Sequence, residues 1–149
     1  MIKAKDIMEK DVITMTPDMK IKDAAKLLLE RHINGAPVLD YDGQVLGIIC
    51  QSDLIAQQKK INMPSVFAFL DGFIQIGSVK NMEAEIKKMS AMTVADAMTE
   101  NPETVSPEAT IEEVASLIVD KRFHTIPVVE NEVLVGVIGK EDILKTLLS

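Results

Sequence analysis

An internal repeat is the feature of this sequence that most constrains its fold. Residues 6–40 align without a gap with residues 96–130, at a constant offset of 90 positions. Identical residues at aligned positions include Asp6 and Asp96, Met8 and Met98, Thr14 and Thr104, Pro17 and Pro107, Ile21 and Ile111, and Pro37 and Pro127. The chain therefore contains two copies of one unit.

The repeat continues through a second pair of motifs. The stretch GIICQSDLI begins at Gly47 and the stretch GVIGKEDIL begins at Gly136, an offset of 89 positions. A change of one residue is what a hairpin turn between two strands tolerates. Each copy also carries an aspartate at the same place, Asp53 in the first and Asp142 in the second.

Each copy contains one amphipathic helix after its Thr-x-x-Pro stretch. Five apolar residues of the first copy recur at helical spacing, which predicts one buried face: Ile21, Ala24, Ala25, Leu28 and Leu29. In the second copy, Thr110 and Glu113 have the spacing of a capping box, which predicts the start of the matching helix. The segments DLIAQQKK and DILKTLL return to helical spacing.

Short β-rich runs flank turn residues in both copies. APVLD and VLGIIC enclose YDGQ, and IPVVE and VLVGVIG enclose a turn at Asn131, so two hairpins are predicted. With an extended piece around Thr14 or Thr104, the order is β-α-β-β-α, twice. Because a three-stranded half with one open apolar face is marginal alone, we expect the halves to pack about a pseudo-twofold axis. The predicted class is α/β (α+β-like), with repeats at 1–56 and 92–149 in one domain.

The segment between the copies, residues 57–91, predicts a helical insertion. Its apolar residues Pro64, Phe67, Leu70, Phe73 and Ile74 lie at roughly helical spacing. This stripe either covers the protein's own core or forms a surface for a second subunit or a regulated partner.

Composition excludes several classes of function. A net charge of −7 without a basic run, no Trp and one Tyr argue against nucleic-acid binding. No stretch is long and apolar enough to predict a membrane span, and the N-terminus lacks the apolar core of a signal peptide. A single cysteine, Cys50, favours a reducing, cytoplasmic location. No Ser/His/Asp set is recognisable, and two histidines make a metal site unconvincing, so we predict a protein that is not an enzyme.

The ordered motifs, found twice, resemble those of cystathionine-β-synthase (CBS) domains. The motifs are TMTP or TVSP, GAPVLD or TIPVVE, and GIICQSD or GVIGKED. A tandem pair of CBS domains is known as a Bateman module. The resemblance implies a cleft between the motifs that binds an adenosyl ligand such as AMP, ADP, ATP or S-adenosylmethionine as a regulatory ligand. It also implies assembly into homodimers.

The resemblance assigns the two aspartates to the ribose of such a ligand. A carboxylate offers two acceptor oxygens, which suits the two ribose hydroxyls. Asp53 and Asp142 would also be stabilised at the start of a helix, and capping is the alternative role for each. One departure from the family pattern is that Cys50 and Gly139 stand where the family usually has a hydroxyl, three residues before the aspartate.

The resemblance also implies contacts to the base, to the ribose and to a phosphate. Expected contacts through backbone, hydroxyl and aliphatic groups are Thr14, Thr16, Gly35, Ala36, Pro37, Val38, Ile49, Ser52, Thr104, Ser106, Thr125, Ile126, Pro127, Val128 and Ile138. For any single aliphatic residue of this set, an ordinary core position is the alternative. Expected phosphate ligands are Arg122, His124 and Lys140, and the first copy has Asn34 where the second has His124.

Two functions remain open at this point. The first is a sensor that binds an adenine nucleotide between the motifs and signals to an unknown protein in trans. The second is a structural or interaction module with vestigial pockets, in which the linker and a dimer face matter. The apolar helices AAKLLL and VASLIV need cover, which favours a homodimer in either case.

Overall fold

The computed structural model describes residues 1–60 and 92–148. In chain order the elements are α1 (Ala4–Ile7), α2 (Ile21–Glu30), β1 (Gly35–Leu39), β2 (Val45–Cys50), α3 (Gln51–Lys60), α4 (Val94–Ala97), β3 (Thr99–Glu100), α5 (Ile111–Asp120), β4 (Thr125–Glu130), β5 (Val133–Gly139), α6 (Lys140–Lys145) and a 3-10 turn (Thr146–Leu148). Strands and helices alternate in two matching halves, which confirms the predicted α/β class. The predicted helical insertion lies outside the described residues, apart from the last turn of α3.

Both predicted hairpins are present. Strand β1 pairs with β2, and β4 pairs with β5, antiparallel in each case. The second hairpin turns at Asn131 and Glu132, whose φ angles of 52° and 65° are both positive, as a tight two-residue turn requires. The first hairpin has the longer turn, with Gly43 at φ 85°. The one-residue difference between the copies therefore lies in the turns.

The start of each repeat differs from the sequence prediction. The extended piece near Thr14 or Thr104 is a single parallel bridge, from Met15 to Val38 and from Val105 to Val128, and not a full strand. A short helix, α1 or α4, precedes it and was not predicted. These helices have four residues each, too few to show a helical period in the sequence.

The first residues of each repeat pack on the other repeat. Strand β3 of the second repeat pairs with β2 of the first, and Glu9 of the first repeat pairs with Val137 of the second. We call these N-terminal parts, around α1 in the first repeat and around α4 and β3 in the second, the exchanged segments. The hydrophobic cores show the same exchange, because Val94 and Ala97 lie in the core of the first repeat while Ala4 lies in that of the second. Each repeat is therefore joined to the other through the first residues of both.

The exchange explains why both copies carry a glycine in β2 and β5. A Cβ on Gly47 would lie 2.6 Å from the backbone oxygen of Thr99, and one on Gly136 would lie 2.5 Å from the sulfur of Met8. Real Cβ atoms do not approach other atoms so closely, so only glycine fits under the exchanged segment. Met8 and Met98 are equivalent in the repeat, and each covers the glycine of the other copy.

The helix after the Thr-x-x-Pro stretch forms in both copies as predicted. Ile21, Ala24 and Leu28 are buried on α2, but Leu29 is 67% exposed, so its predicted place on the buried face is wrong. Leu29 lies one position beyond the i, i+3, i+7 stripe that faces the sheet. In α5, the Thr110 hydroxyl accepts a hydrogen bond from the backbone N–H of Glu113, as the predicted cap requires. Within the described ranges, no helix is long and apolar enough to cross a bilayer.

Candidate functional site

Among the cavities built from both repeats, two combine Asp53 or Asp142 with residues that directly precede Pro37 or Pro127. The Asp142 cleft is lined by Glu9, His32, Ile33, Asn34, Gly35, His124, Thr125, Val137, Gly139, Lys140, Glu141, Asp142 and Lys145. The Asp53 cleft is lined by Ile48, Cys50, Ser52, Asp53, Thr99, Pro102, Glu103, Lys121, Arg122, Phe123, His124 and Thr125. Each cleft therefore combines the aspartate of one repeat with residues that precede Pro37 or Pro127 in the other. We call these residues, 32–35 and 121–125, the pre-proline segments.

The clefts have equivalent positions, with different side chains. Asp142 corresponds to Asp53, and the paired lining positions include His32 and Arg122, Asn34 and His124, Gly35 and Thr125, and Glu9 and Thr99. Their volumes are also similar, about 210 and 180 Å³. The internal repeat thus builds one site twice, and the differences between the clefts lie in the residues that line them.

Each aspartate holds the start of its helix with one oxygen. The backbone N–H of Gly139 donates to Asp142 Oδ2 at 2.8 Å, and that of Cys50 donates to Asp53 Oδ2 at 2.8 Å. Each aspartate is the third residue of its helix, so it is not the N-cap residue itself. It accepts from the residue before the helix, as the acidic member of a capping box does. Capping and ligand binding are therefore not exclusive alternatives.

The other carboxylate oxygens, Oδ1 of Asp53 and Oδ1 of Asp142, differ in their hydrogen bonds. Asp53 Oδ1 accepts a hydrogen bond from the hydroxyl of Thr99 at 3.3 Å. Asp142 Oδ1 has no such bond from any residue that the structure describes, because Glu9 stands in the position of Thr99. Burial raises the pKa of Asp53, while its bonds from Cys50 and Thr99 oppose the rise. Within the described residues, Asp142 therefore offers an acceptor oxygen without a hydrogen bond, whereas that of Asp53 is partly engaged.

Cys50 lies beside Asp53 as a neutral thiol. Burial, together with the charge of Asp53, raises the pKa of Cys50 to about 12. Nucleophilic cysteines need a lowered pKa, so this environment is the reverse of an activated one. Within residues 1–60 and 92–148, no group of three or more His, Cys, Asp or Glu side chains could hold a metal ion.

The three expected phosphate ligands do not line a single cleft. Arg122 lies in the Asp53 cleft, Lys140 lies in the Asp142 cleft, and His124 lines both. Lys121 adds a further ammonium group to the Asp53 cleft, but its Nζ is 2.8 Å from Glu103 Oε1 and is partly neutralised. The three residues therefore lie in two clefts that share His124, and their role as phosphate ligands stays a prediction.

The expected hydroxyl ligands lie elsewhere. Neither aspartate cleft is lined by Thr14, Thr16, Thr104 or Ser106, and all four are exposed. Thr104 and Ser106 line a separate groove with Glu108, where the Ser106 hydroxyl accepts from the backbone N–H of Glu108. Ser52 and Thr125, by contrast, lie in the Asp53 cleft as expected.

The expected aliphatic contacts belong to the cores. Eight strand residues are almost fully buried and line neither cleft: Ala36, Pro37, Val38, Ile49, Ile126, Pro127, Val128 and Ile138. The cleft is faced instead by their neighbours Ile48 and Val137. Alternate residues of a strand point to opposite faces, so the residues that line the clefts are one position away from the expected ones, whose ligand contacts stay a prediction. Gly35 lines the Asp142 cleft, and a Cβ added at this position would lie 2.8 Å from Cys50 Sγ.

Several lining residues were not anticipated from the sequence. In the Asp142 cleft these are Glu9, His32, Ile33, Val137, Glu141 and Lys145. The repeat itself contained a signal for His32, since it aligns with Arg122, which was expected to bind phosphate. Glu9 could not be anticipated without knowledge of the exchanged segment, because it reaches the second repeat through its pairing with Val137.

Comparison with known families identifies the two halves. The sequence model of the CBS-domain family matches residues 4–60 and 94–149. The chain belongs to the CBS-domain family. These two matched segments are the two repeats, and together they span most of the chain, so the expected resemblance is confirmed.

Similar proteins include both uncharacterised and ligand-bound members. An uncharacterised protein of Methanocaldococcus jannaschii, MJ1426, is 28% identical over 152 residues, covering 97% of this chain and 90% of its own. CBSX2 from Arabidopsis thaliana, solved in complex with AMP, has a TM-score of 0.74 at 23% identity, with 98% and 96% of the two chains covered. The CBS domain pair of MJ0100, solved with 5′-methylthioadenosine and S-adenosylmethionine, has a TM-score of 0.74 at 24% identity, with 98% and 99% covered. The last two establish the fold.

Proposed function

We propose that the protein is a regulatory module that binds an adenosyl ligand in the Asp142 and Asp53 clefts. The observation that carries this proposal is the Asp142 carboxylate, which lines a cavity formed by both repeats and whose Oδ1 accepts no hydrogen bond from the described part of the chain. A carboxylate fixed through one oxygen is already oriented, so its other oxygen can accept from a ribose hydroxyl at little entropic cost. AMP is the ligand of choice for a first test, with ADP, ATP and S-adenosylmethionine as the alternatives.

The ligands of two structural neighbours support this ligand class. CBSX2 was solved with AMP, and the MJ0100 pair with 5′-methylthioadenosine and S-adenosylmethionine. All three ligands share an adenine and a ribose, and differ at the 5′ substituent. The shared part matches the ribose role proposed here for Asp142 and Asp53. The 5′ substituent would then meet the charged residues of each cleft.

Regulation would follow from the way the clefts are built. Each cleft joins the aspartate helix of one repeat to the pre-proline segment of the other, and its wall includes an exchanged segment at Glu9 or Thr99. A ligand that contacts both repeats stabilises one relative arrangement of the two. It can shift the equilibrium between arrangements only by its difference in affinity for them. We propose that a cytoplasmic partner protein, acting in trans, responds to this shift, and that the module has no catalytic role.

Homodimer formation is part of the proposal. Exposed apolar residues occur in equivalent pairs, Leu29 with Val119 at 67% and 74% exposure, and Ile55 with Leu144 at 65% and 57%. The helices of each copy that carry them pack together, α2 with α3 and α5 with α6. Two matching apolar patches suit an isologous dimer. Sedimentation at tens of micromolar, roughly, should give twice the mass of 16.4 kDa, and Leu29→Asp with Val119→Asp should give the monomer mass.

A thermal-shift screen tests the ligand. AMP, ADP, ATP and S-adenosylmethionine are added in turn to the parent protein and to an Asp53→Asn, Asp142→Asn double variant. A ligand at 100 times its Kd should add about 2.7 kcal/mol to the free energy of unfolding of the parent. The double variant should gain much less. If no adenosyl compound stabilises the parent, or if the double variant responds equally, the clefts are not the site.

A further inference from the structure

We propose that the exchanged segments decide which class of adenosyl ligand each cleft takes. Glu9 makes the Asp142 cleft select ligands whose 5′ substituent is uncharged or positive, whereas Thr99 leaves the Asp53 cleft open to anionic ones. This inference rests on the proposed binding of adenosyl ligands and adds the selectivity of each cleft. Glu9 and Thr99 are equivalent in the repeat, and each lines one of the two clefts.

The backbone holds Glu9 and Thr99 in the same way. The Glu9 N–H donates to the Val137 oxygen at 2.8 Å, and the Val137 N–H donates to the Glu9 oxygen at 3.0 Å. In the other half, Thr99 pairs with Ile48, the residue equivalent to Val137. Val137 and Ile48 line the same clefts as their pairing partners. Each position is therefore fixed by sheet pairing at the wall of its cleft.

This position lies close to the aspartate of the cleft. The Thr99 hydroxyl donates to Asp53 Oδ1 at 3.3 Å, so even a short side chain reaches the carboxylate. Glu9 and Asp142 line the same cleft, and both also line the cavity that adjoins it. No residue that the structure describes forms an ion pair with Glu9. The charge of Glu9 is therefore free to act on a ligand held by Asp142.

The permanently charged groups of the Asp142 cleft are negative overall. Among the described lining residues, three carboxylates stand against two ammonium groups: Glu9, Glu141, Asp142, Lys140 and Lys145. Such an excess opposes an anionic substituent and spares a neutral thioether or a positive sulfonium. A carboxylate about 8 Å from a phosphate with a charge of about −2 lowers affinity about fivefold in a water-like medium.

The Asp53 cleft has no such excess. Its described lining residues carry two cationic groups and two carboxylates, so their charges balance. The positions of Glu9 and Glu141 are taken by Thr99 and Ser52, neither of which is charged. Two of the three carboxylates of one cleft are thus hydroxyls in the other. An anionic 5′ substituent therefore meets less repulsion beside Asp53 than beside Asp142.

Two ligands that differ at the 5′ substituent test the inference. AMP carries a dianionic phosphate at pH 8, and 5′-methylthioadenosine is uncharged. Binding is followed by NMR at pH 8 and low ionic strength, with the backbone amides of Gly139 and Cys50 as reporters of the Asp142 and Asp53 clefts. Each amide donates to the aspartate of its own cleft. The readout is the affinity for AMP divided by that for 5′-methylthioadenosine, because a variant that only loosens a cleft weakens both ligands.

Removal of the Glu9 charge should change this ratio in one cleft. In the parent, the ratio should be lower at Gly139 than at Cys50. Glu9→Gln, which keeps the size of the side chain, should raise the ratio about fivefold at Gly139 and leave it unchanged at Cys50. Thr99→Glu should lower the ratio at Cys50 by a similar factor. In 1 M salt, where the Debye length is about 3 Å, the effect of Glu9→Gln should largely disappear.

The matched control is Glu112→Gln. Glu112 is exposed in the first turn of α5 and lines neither cleft, so this variant makes the same change in net charge and should alter neither ratio. A ratio at Gly139 that Glu9→Gln leaves unchanged, or that Glu112→Gln raises equally, would overturn the role of Glu9 alone. Absence of any shift at either amide with both ligands would overturn the proposed function, and this inference with it.

Discussion

The backbone N–H of Gly139 lies 2.8 Å from Asp142 Oδ2, so the residue before helix α6 and the third residue within it hold each other in place. The same relation recurs three times, between Cys50 and Asp53, between Thr93 and Asp96, and between Lys3 and Asp6. An aspartate at this position is therefore a structural device of the fold. Only Asp53 and Asp142 combine it with a place in one of the two clefts.

Asp142 variants should separate the two roles. Asp142→Asn keeps an acceptor for the Gly139 amide but loses the charge, so AMP affinity should fall by about 1.5–3 kcal/mol while the free energy of unfolding changes little. Asp142→Ala should lose the same affinity and, in addition, about 1 kcal/mol of stability. Calorimetry with AMP and thermal unfolding give the two quantities.

The matched control is Asp96→Ala. Asp96 accepts from the Thr93 amide at 2.8 Å and lines neither cleft, so this variant should lose stability and keep its AMP affinity. If Asp142→Asn binds AMP as tightly as the parent, Asp142 serves the helix alone.

Gly136 should not tolerate a methyl group. In Gly136→Ala the new Cβ would lie 2.5 Å from Met8 Sδ and 3.1 Å from the Glu9 backbone oxygen, so the Met8 side chain must move and the Glu9 backbone must shift slightly, at a cost of about 1–3 kcal/mol. Gly139→Ala, whose Cβ meets nothing closer than 3.7 Å, is the control and should cost less than about 1 kcal/mol. Urea unfolding measures both. Equal costs for the two variants would contradict the close packing of the exchanged segment.

The exchange also predicts that Ala4 stabilises the second repeat. Ala4 has no exposed surface and lies in the core with Val114, Ile126 and Ile138, so Ala4→Asn should cost about 2–3 kcal/mol. Ile2→Asn, at a position that is 41% exposed, should cost much less. Hydrogen exchange gives a local readout, because the Val137 amide donates to the Glu9 oxygen at 3.0 Å and should lose protection in Ala4→Asn. Protection of Val137 that stays unchanged would refute the pairing.

Cys50 should react slowly in the folded protein. Its pKa is raised to about 12 by burial and by Asp53, so iodoacetamide at pH 8 should alkylate it at least about a hundredfold more slowly than it alkylates the unfolded chain. Because the pKa of Cys50 in the folded protein lies above its ordinary 9.0, the contribution of this thiol to the free energy of unfolding is fully present below pH 9. It is lost as the pH rises from 9 to 12. Asp53→Asn should speed the reaction by removing one cause of the shift. A rate equal to that of the unfolded chain would contradict the burial.

The repeat predicted most of the elements, and the reasons for the exceptions are physical. Hairpins and the α2 and α5 helices follow from local patterns, which the second copy repeats. The exchanged segments do not, because a four-residue helix has no period and the pairing of Glu9 with Val137 joins residues far apart in sequence. The partition of the phosphate candidates was missed for the same reason, since each cleft takes its aspartate and its pre-proline segment from different repeats.

The displaced aliphatic contacts have another cause. Strands β2 and β5 are runs of aliphatic residues, so their sequence shows no alternation between a core face and a cleft face. The sequence therefore could not tell Ile48 from Ile49 or Val137 from Ile138. Ile49 and Ile138 are buried, whereas their neighbours Ile48 and Val137 line the clefts. This difference shows which residues of each strand face the core.

A crystal structure of the protein with AMP tests the central claim most directly. The account predicts AMP in the Asp142 cleft, the Asp53 cleft or both, with a ribose hydroxyl within hydrogen-bonding distance, about 3 Å, of the aspartate Oδ1 while Oδ2 keeps its backbone partner. AMP bound in the groove of Thr104 and Ser106, or bound in a cleft with its ribose turned away from the carboxylate, would contradict it.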